Sequence, residues 1–248
     1  MKTLVVMNEK GGVGKTNIVA HAGWYFAEKY RTLVIDLDQQ ANLTTTLAAS
    51  LSPIESVTLF SEETKVPSVG PMTVTQSTRQ LLGVEKTGRD CIEMFRDNLH
   101  SMDDDYDICI IDTPPQLANR TYAGLLSADA VLAPMGINSY SIAGITELLK
   151  AIKGVSTYYK KPEPLFLGLL PSLFDRKSRL EREGFEALAE QVGQLLFPAI
   201  VAKRDLYAKA GSERMPVWQM KGSGVKDASL EIRGIFDVVD KKMELTHG

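Results

Sequence analysis

Lys10-Gly11-Gly12-Val13-Gly14-Lys15-Thr16 brings together a flexible backbone, two ammonium groups and a hydroxyl, the set needed to surround a phosphate. The stretch follows an apolar run, Leu4 to Met7, and precedes a segment of helical character, Ile18 to Ala27. A glycine-rich turn between a strand and a helix aims several backbone N–H groups at one anion, and the helix N-terminus adds its partial positive charge. On this reading Lys15 reaches the β and γ phosphates of a nucleotide and Thr16 holds magnesium. The pattern G-x-x-x-x-G-K-[ST] is not met strictly, because its first glycine would fall on Glu9 and the compensating glycines are Gly11 and Gly12. Lys10 is then surplus, since Lys15 already occupies the lysine position of its own loop.

Carboxylates follow at two strand ends. Thr32-Leu33-Val34-Ile35-Asp36-Leu37-Asp38 reads as a buried strand closing on Asp36 and Asp38, and an i, i+2 pair points both side chains the same way. In Tyr106-Asp107-Ile108-Cys109-Ile110-Ile111-Asp112-Thr113-Pro114-Pro115 an apolar run leads into Asp112. A short continuous hydrophobic run is the mark of a fully buried parallel strand, and an aspartate at its carboxyl end can hold a magnesium-bound water. Pro114 and Pro115 stop that strand and stiffen the turn behind it.

The elements that must position these groups alternate between strand and helix. After Asp112 the pattern predicts a helix over 118–127, a strand over 130–134, a helix over 142–152 and a strand over 165–170. A charged helix over 180–196, a short strand over 199–201 and a final helix over 228–243 complete the series. Residues 51–88, rich in Ser, Thr, Pro and Gly, read as connections around a weak strand at 72–75. The fold class is therefore α/β: one doubly wound, mostly parallel sheet with helices on both faces, spanning residues 1–248 as a single domain.

These segments together resemble the ParA/MinD family of deviant Walker A ATPases, most closely a small partition ATPase. The surplus Lys10 matches the family's extra lysine, which implies contact with a partner subunit's nucleotide and hence an ATP-bound homodimer. Asp36 to Leu43 resembles the family's D-x-D-P-Q-x-N-L segment, with Gln39 where proline is usual and Ala41 where glycine is common. The resemblance implies that ATP and Mg2+ are the cofactors and that Lys10, Lys15 and Asp38 serve hydrolysis, Asp38 by positioning the attacking water. It implies a nucleotide cradle of Lys10, Gly11, Gly12, Val13, Gly14, Lys15, Thr16 and Asn17, and a metal set of Thr16, Asp36 and Asp112, partly through water. Residues 127–134 resemble the family's A-D-x-V-L-I-P strand, and 169–176 the segment near the base, although Pro171 or Ser172 replaces its usual asparagine or threonine. Residues 201–217, with Arg204, resemble the loop that closes over the adenine.

Composition agrees: 248 residues, 44% hydrophobic and 24% charged, is ordinary for a globular chain. Cys91 and Cys109 offer no disulfide framework, and Cys109 inside a strand cannot serve an iron–sulfur cluster shared across a dimer axis. The net charge of −3 announces no nucleic-acid partner, yet basic residues gather locally. The candidates for DNA contact are Lys150, Lys153, Arg176, Lys177, Arg179, Lys203, Lys209 and Lys226, which would bind phosphates without reading sequence. With the first strand starting near residue 3, no helix-turn-helix is expected ahead of the loop, so site recognition falls to a centromere-binding, ParB-like partner. The rivals within the family are a MinD-like membrane-associated ATPase and an ATPase that positions a protein cargo. Asp and Glu interrupt the basic face of the last helix, which argues against anionic lipid and stable membrane association. A cytoplasmic, nucleoid-associated location is expected.

Overall fold

The computed structural model describes residues 1–137 and 140–245. Seven strands form one sheet: β1 (Lys2–Val6), β2 (Thr32–Asp36), β3 (Leu51–Glu55), β4 (Met72–Gln76), β5 (Ile108–Asp112), β6 (Ala130–Met135) and β7 (Leu165–Pro171). Their order is β3-β4-β2-β5-β1-β6-β7, and every pairing is parallel. Parallel neighbours need crossover connections, which here place helices on both faces.

The alternation of side chains along each strand divides the core. Val5, Leu33, Ile35, Cys109 and Ile111 face one layer, where they pack with α3 (Asp90–His100), α4 (Asn119–Ser127), α5 (Ile142–Tyr158) and α6 (Arg179–Val192). Leu4, Val6, Val34, Ile108 and Ile110 face the other, which holds α1 (Lys15–Phe26), α2 (Asn42–Thr46), α7 (Asp205–Glu213) and α8 (Val225–Met243). With helices over both faces, β2 and β5 are buried at every residue, which is why they read as continuous apolar runs.

Three differences from the sequence reading have physical causes. The segment taken as connections contains β3, at the sheet edge, and α3 follows directly after it with Cys91, Ile92, Phe95 and Leu99 on its buried face. No strand forms over 199–201: Phe197 and Val201 donate to Leu169 and Pro171 carbonyls at 2.8 Å each, but Pro198, which lacks an N–H, lies between these contacts. The charged helix stops at Val192, where Gly193 takes φ +50°, and continues only as a 3-10 turn over 193–195.

Register places the chemistry. Val6 pairs with Asp112 and Asp112 with Asp36, so the carboxyl ends of β1, β5 and β2 finish level. The crevice beyond those ends is where open α/β sheets take ligands.

Candidate functional site

The loop after β1 turns sharply at Gly12, φ +75°, and Gly14, φ +84°, both left-handed conformations that glycine adopts without strain. A Cβ on Gly11 or Gly12 would meet nothing within 4 Å, so the loop leaves a cradle beside its backbone. Asn8 pins it from below, donating to the Pro134 carbonyl at 2.6 Å and accepting from Lys10 N at 2.9 Å. The Lys15 side chain is buried and folds into the loop, donating to the Asn8 and Lys10 carbonyls at 3.1 and 3.4 Å. Burial lowers its pKa, against the pull of Asp112 and Asp38. Lys10 differs: it is exposed, and its ammonium has no hydrogen bond or ion pair among the described residues.

Thr16, in the first turn of α1, donates through Oγ1 to Asp112 Oδ2 at 2.8 Å. Asp112 Oδ1 is buried without any hydrogen-bond partner. A buried carboxylate oxygen left unpaired is costly and calls for a cation or a proton. Burial, then the neighbouring Asp36, raises the Asp112 pKa. Asp36 is also raised by burial, but its oxygens are engaged: Oδ2 accepts from Thr44 N and Oγ1, both at 2.8 Å, and Oδ1 from Asp38 N at 3.1 Å. Asp38 is half-buried, accepts from Gln40 N at 3.0 Å through Oδ1, and gives its carbonyl to Ser77 Oγ at 2.6 Å. No cluster of three or more His, Cys, Asp or Glu able to cage a metal occurs among the described residues. The donor set fits a magnesium ion carried by a nucleotide, for which one hydroxyl, one orphaned carboxylate oxygen and waters suffice.

The other sequence candidates lie apart from the loop. Asn17 points sideways, donating to the Tyr207 carbonyl of α7 at 2.7 Å. Arg204 meets Glu231 at 3.4 Å, and the same carboxylate oxygen is reached by Arg176 at 3.4 Å. The Arg204 Nε is buried without a partner. The basic candidates divide between the layers: Lys150 and Lys153 ride on α5, Lys209 on α7 and Lys226 on α8, across the sheet from α5. Lys150, Arg179 and Lys209 carry ion pairs to Glu147, Glu183 and Glu213. The Cβ that Gly14 lacks would stand 3.1 Å from Ser172 Oγ, so the segment at the end of β7 closes directly on the loop.

Two buried residues were invisible to motif reading. His21 is fully buried on α1, bonded to the Asn17 carbonyl through Nδ1 at 2.9 Å and accepting from Val217 N through Nε2 at 3.3 Å. It thus ties α1 to the 215–217 turn. Burial lowers its pKa to about 4, so the neutral tautomer with Nδ1 protonated satisfies both contacts. Arg120, at the start of α4, is fully buried, and nothing but its place behind Asp112-Thr113-Pro114-Pro115 hinted at it.

Residues 1–163 match a family model described as an AAA domain. IncC from Escherichia coli is 35% identical over 262 residues, an alignment covering 99% of this chain and 71% of IncC. The chromosome-partitioning ATPase Soj of Treponema pallidum is 27% identical over 228 residues, covering 87% of this chain and 88% of Soj. Among solved structures, the ATP complex of McdA from Cyanothece superposes with a TM-score of 0.84 at 20% identity, covering 96% of each chain.

Proposed function

The chain belongs to the ParA/MinD family of P-loop ATPases, and from that premise we propose that it is a partition ATPase acting as an ATP-bound homodimer on non-specific DNA. A centromere-binding, ParB-like partner would stimulate a hydrolysis that is otherwise weak, and the protein would work in the cytoplasm on the nucleoid. The observation that carries the reading is the contrast between the loop's two lysines. Lys15 bonds to its own loop, whereas Lys10 is held by its backbone and is exposed with its ammonium unpaired among the described residues, as a group meant for a second subunit would be.

The site residues take these roles. The Gly11–Gly14 backbone and Lys15 would receive phosphate oxygens, and Thr16 and Asp112 would hold magnesium; Asp36, expected in the metal set, accepts from Thr44 and Asp38 and would act behind them, through water. Magnesium ATP supplies the transferable phosphoryl group and much of the charge neutralisation when bound. Asp38 orients the attacking water, a task that asks for position more than basicity. Arg204 and the 215–217 turn lie at the base end.

The apolar face of α8 favours DNA over membrane as the dimer's surface. Ala228, Ile232, Ile235, Phe236, Val239 and Met243 are spent on the core, which leaves Leu230 as the large exposed apolar residue of the helix, a narrow footing for lipid. No helix among the described residues is long and apolar enough to cross a membrane. Co-sedimentation with random-sequence DNA and with anionic liposomes, each with ATP, ADP or no nucleotide, tests the proposal. ATP-dependent binding to DNA alone is expected. Binding to liposomes alone would move the protein to the MinD-like class, and binding to neither would leave a protein-cargo ATPase.

A further inference from the structure

Arg120 is a fully buried side chain placed between the two segments that flank the candidate site. Its Nη1 donates to the Leu37 carbonyl at 2.8 Å and to Gln39 Oε1 at 2.7 Å, and its Nε to Glu85 Oε1 at 2.6 Å. Leu37 and Gln39 are the two neighbours of Asp38, so one guanidinium grips the backbone before Asp38 and the side chain after it. Glu85 is anchored in turn, accepting from Asn119 N at 2.7 Å through its other oxygen. Asn119 Nδ2 donates to the Val84 carbonyl at 2.9 Å, which closes a ring of contacts around the start of α4.

A planar guanidinium presents a rigid fork of donors, and charge-assisted hydrogen bonds away from water are stronger than neutral ones in water. Shifting the 37–40 turn therefore means breaking two such bonds inside the protein. Gln39 supplies the acceptor that makes the grip two-sided. A proline there would fix its own φ but could offer no side-chain oxygen. The remaining nitrogen, Nη2, is buried without a partner, a desolvation cost that a merely space-filling residue would not bring.

We propose that Arg120 is a positioning residue for ATP hydrolysis: with Gln39 as its acceptor and Glu85 as its anchor, it fixes the turn that carries Asp38 to the start of α4. The role rests on the ATPase reading above. It places the control of Asp38 on a side chain that touches neither nucleotide nor metal in the proposed site.

Removing Arg120 would strand Glu85 and endanger folding, so the test is made at Gln39, which is half-buried. Gln39→Met keeps the length and deletes the acceptor, and Gln39→Glu restores an acceptor with charge. Deuterium exchange of the nucleotide-free protein reads the clamp, while hydrolysis with saturating ATP reads its consequence. Gln39→Met is expected to speed exchange over 37–41 and to lower kcat roughly tenfold with ATP affinity unchanged, Gln39→Glu recovering both. Exchange at the wild-type rate in Gln39→Met would overturn the clamp. Faster exchange with wild-type kcat, or a loss confined to ATP affinity, would overturn the positioning role. A wild-type protein that does not hydrolyse ATP would overturn the ATPase reading first, visible before any variant is compared, and the positioning role with it.

Discussion

Thr16 Oγ1 lies 2.8 Å from Asp112 Oδ2, so a hydroxyl from α1 and a carboxylate from β5, 96 residues apart in sequence, meet beneath the phosphate loop. The contact uses one oxygen of Asp112 and leaves the other buried and unpartnered, a cost that a cation there would relieve. Thr16→Ala is expected to weaken binding of magnesium ATP by roughly 10- to 100-fold. Binding of ATP in the presence of chelator should change far less. Calorimetric titration with and without magnesium separates the two, and equal losses in both would mean that Thr16 has no metal role.

Lys10 gives a prediction of the opposite kind, because it is exposed and its ammonium makes no hydrogen bond or ion pair among the described residues. Lys10→Ala should leave the fold and ATP binding by the monomer close to wild type while abolishing the ATP-dependent dimer. Sedimentation velocity with ATP reads this directly, and an unchanged dimer fraction would remove the cross-subunit role.

Ala41 sits at φ +55° ahead of α2, a left-handed conformation that costs a residue with a Cβ about 1–2 kcal/mol. Glycine relieves that strain but brings its own entropy cost of roughly 0.5–1 kcal/mol on folding. Ala41→Gly is therefore expected to stabilise the protein by about 0.5–1 kcal/mol, a rise in Tm of about 1–4 °C. A fall in Tm would show that the turn relaxes in solution to a conformation that alanine accepts.

His21 sets a pH dependence whose sign follows from its burial. Its pKa falls from 6.5 to about 4 in the folded protein, so between those values the unfolded chain binds a proton that the folded one refuses. Stability then rises with pH across that window: the contribution is complete above pH 6.5 and is lost as the pH falls towards 4. The full span corresponds to about 3 kcal/mol. Denaturant melts at pH 7 and pH 4.5 should differ by less in His21→Gln than in the wild type, and an equal difference in both would assign the acid sensitivity to other groups.

How much of this was legible depended on whether a residue acts through its neighbours in sequence or across the fold. The gathering of Lys15, Thr16, Asp36 and Asp112 at one end of the sheet was readable because a glycine-rich loop and buried strand ends impose fixed local spacings, and the sheet register brings those ends level. Arg120 was not, because its partners Leu37, Gln39 and Glu85 lie 35 to 83 residues away and no local pattern requires them. His21 was missed for the same reason, its acceptor role being set by Val217 N. Among the elements, α3 escaped because its buried Cys91, Ile92, Phe95 and Leu99 are interleaved with Asp90, Glu93, Arg96, Asp97 and Asn98, directly behind the segment read as connections. The strand expected at 199–201 failed because it counted apolar residues without asking whether the backbone could complete a ladder past Pro198.

The basic residues were the least legible, and the layers decide between them. Arg176 and Arg204 converge on Glu231, which gathers positive charge beyond the end of β7, and Lys177 and Lys203, their neighbours in sequence, are exposed. Lys226 is exposed at the start of α8, whereas Lys150 and Lys153 sit on α5, on the other face of the sheet. A flat phosphate backbone engages one side of a protein more readily than two, so the Lys177, Lys203 and Lys226 set should carry the DNA contact. Each alanine substitution there is expected to lower the slope of log affinity against log salt by about 0.9, and the Lys150→Ala, Lys153→Ala double variant should leave the slope unchanged. Fluorescence anisotropy with random-sequence duplex at several salt concentrations and saturating ATP measures both. The reverse pattern would transfer the DNA face to α5.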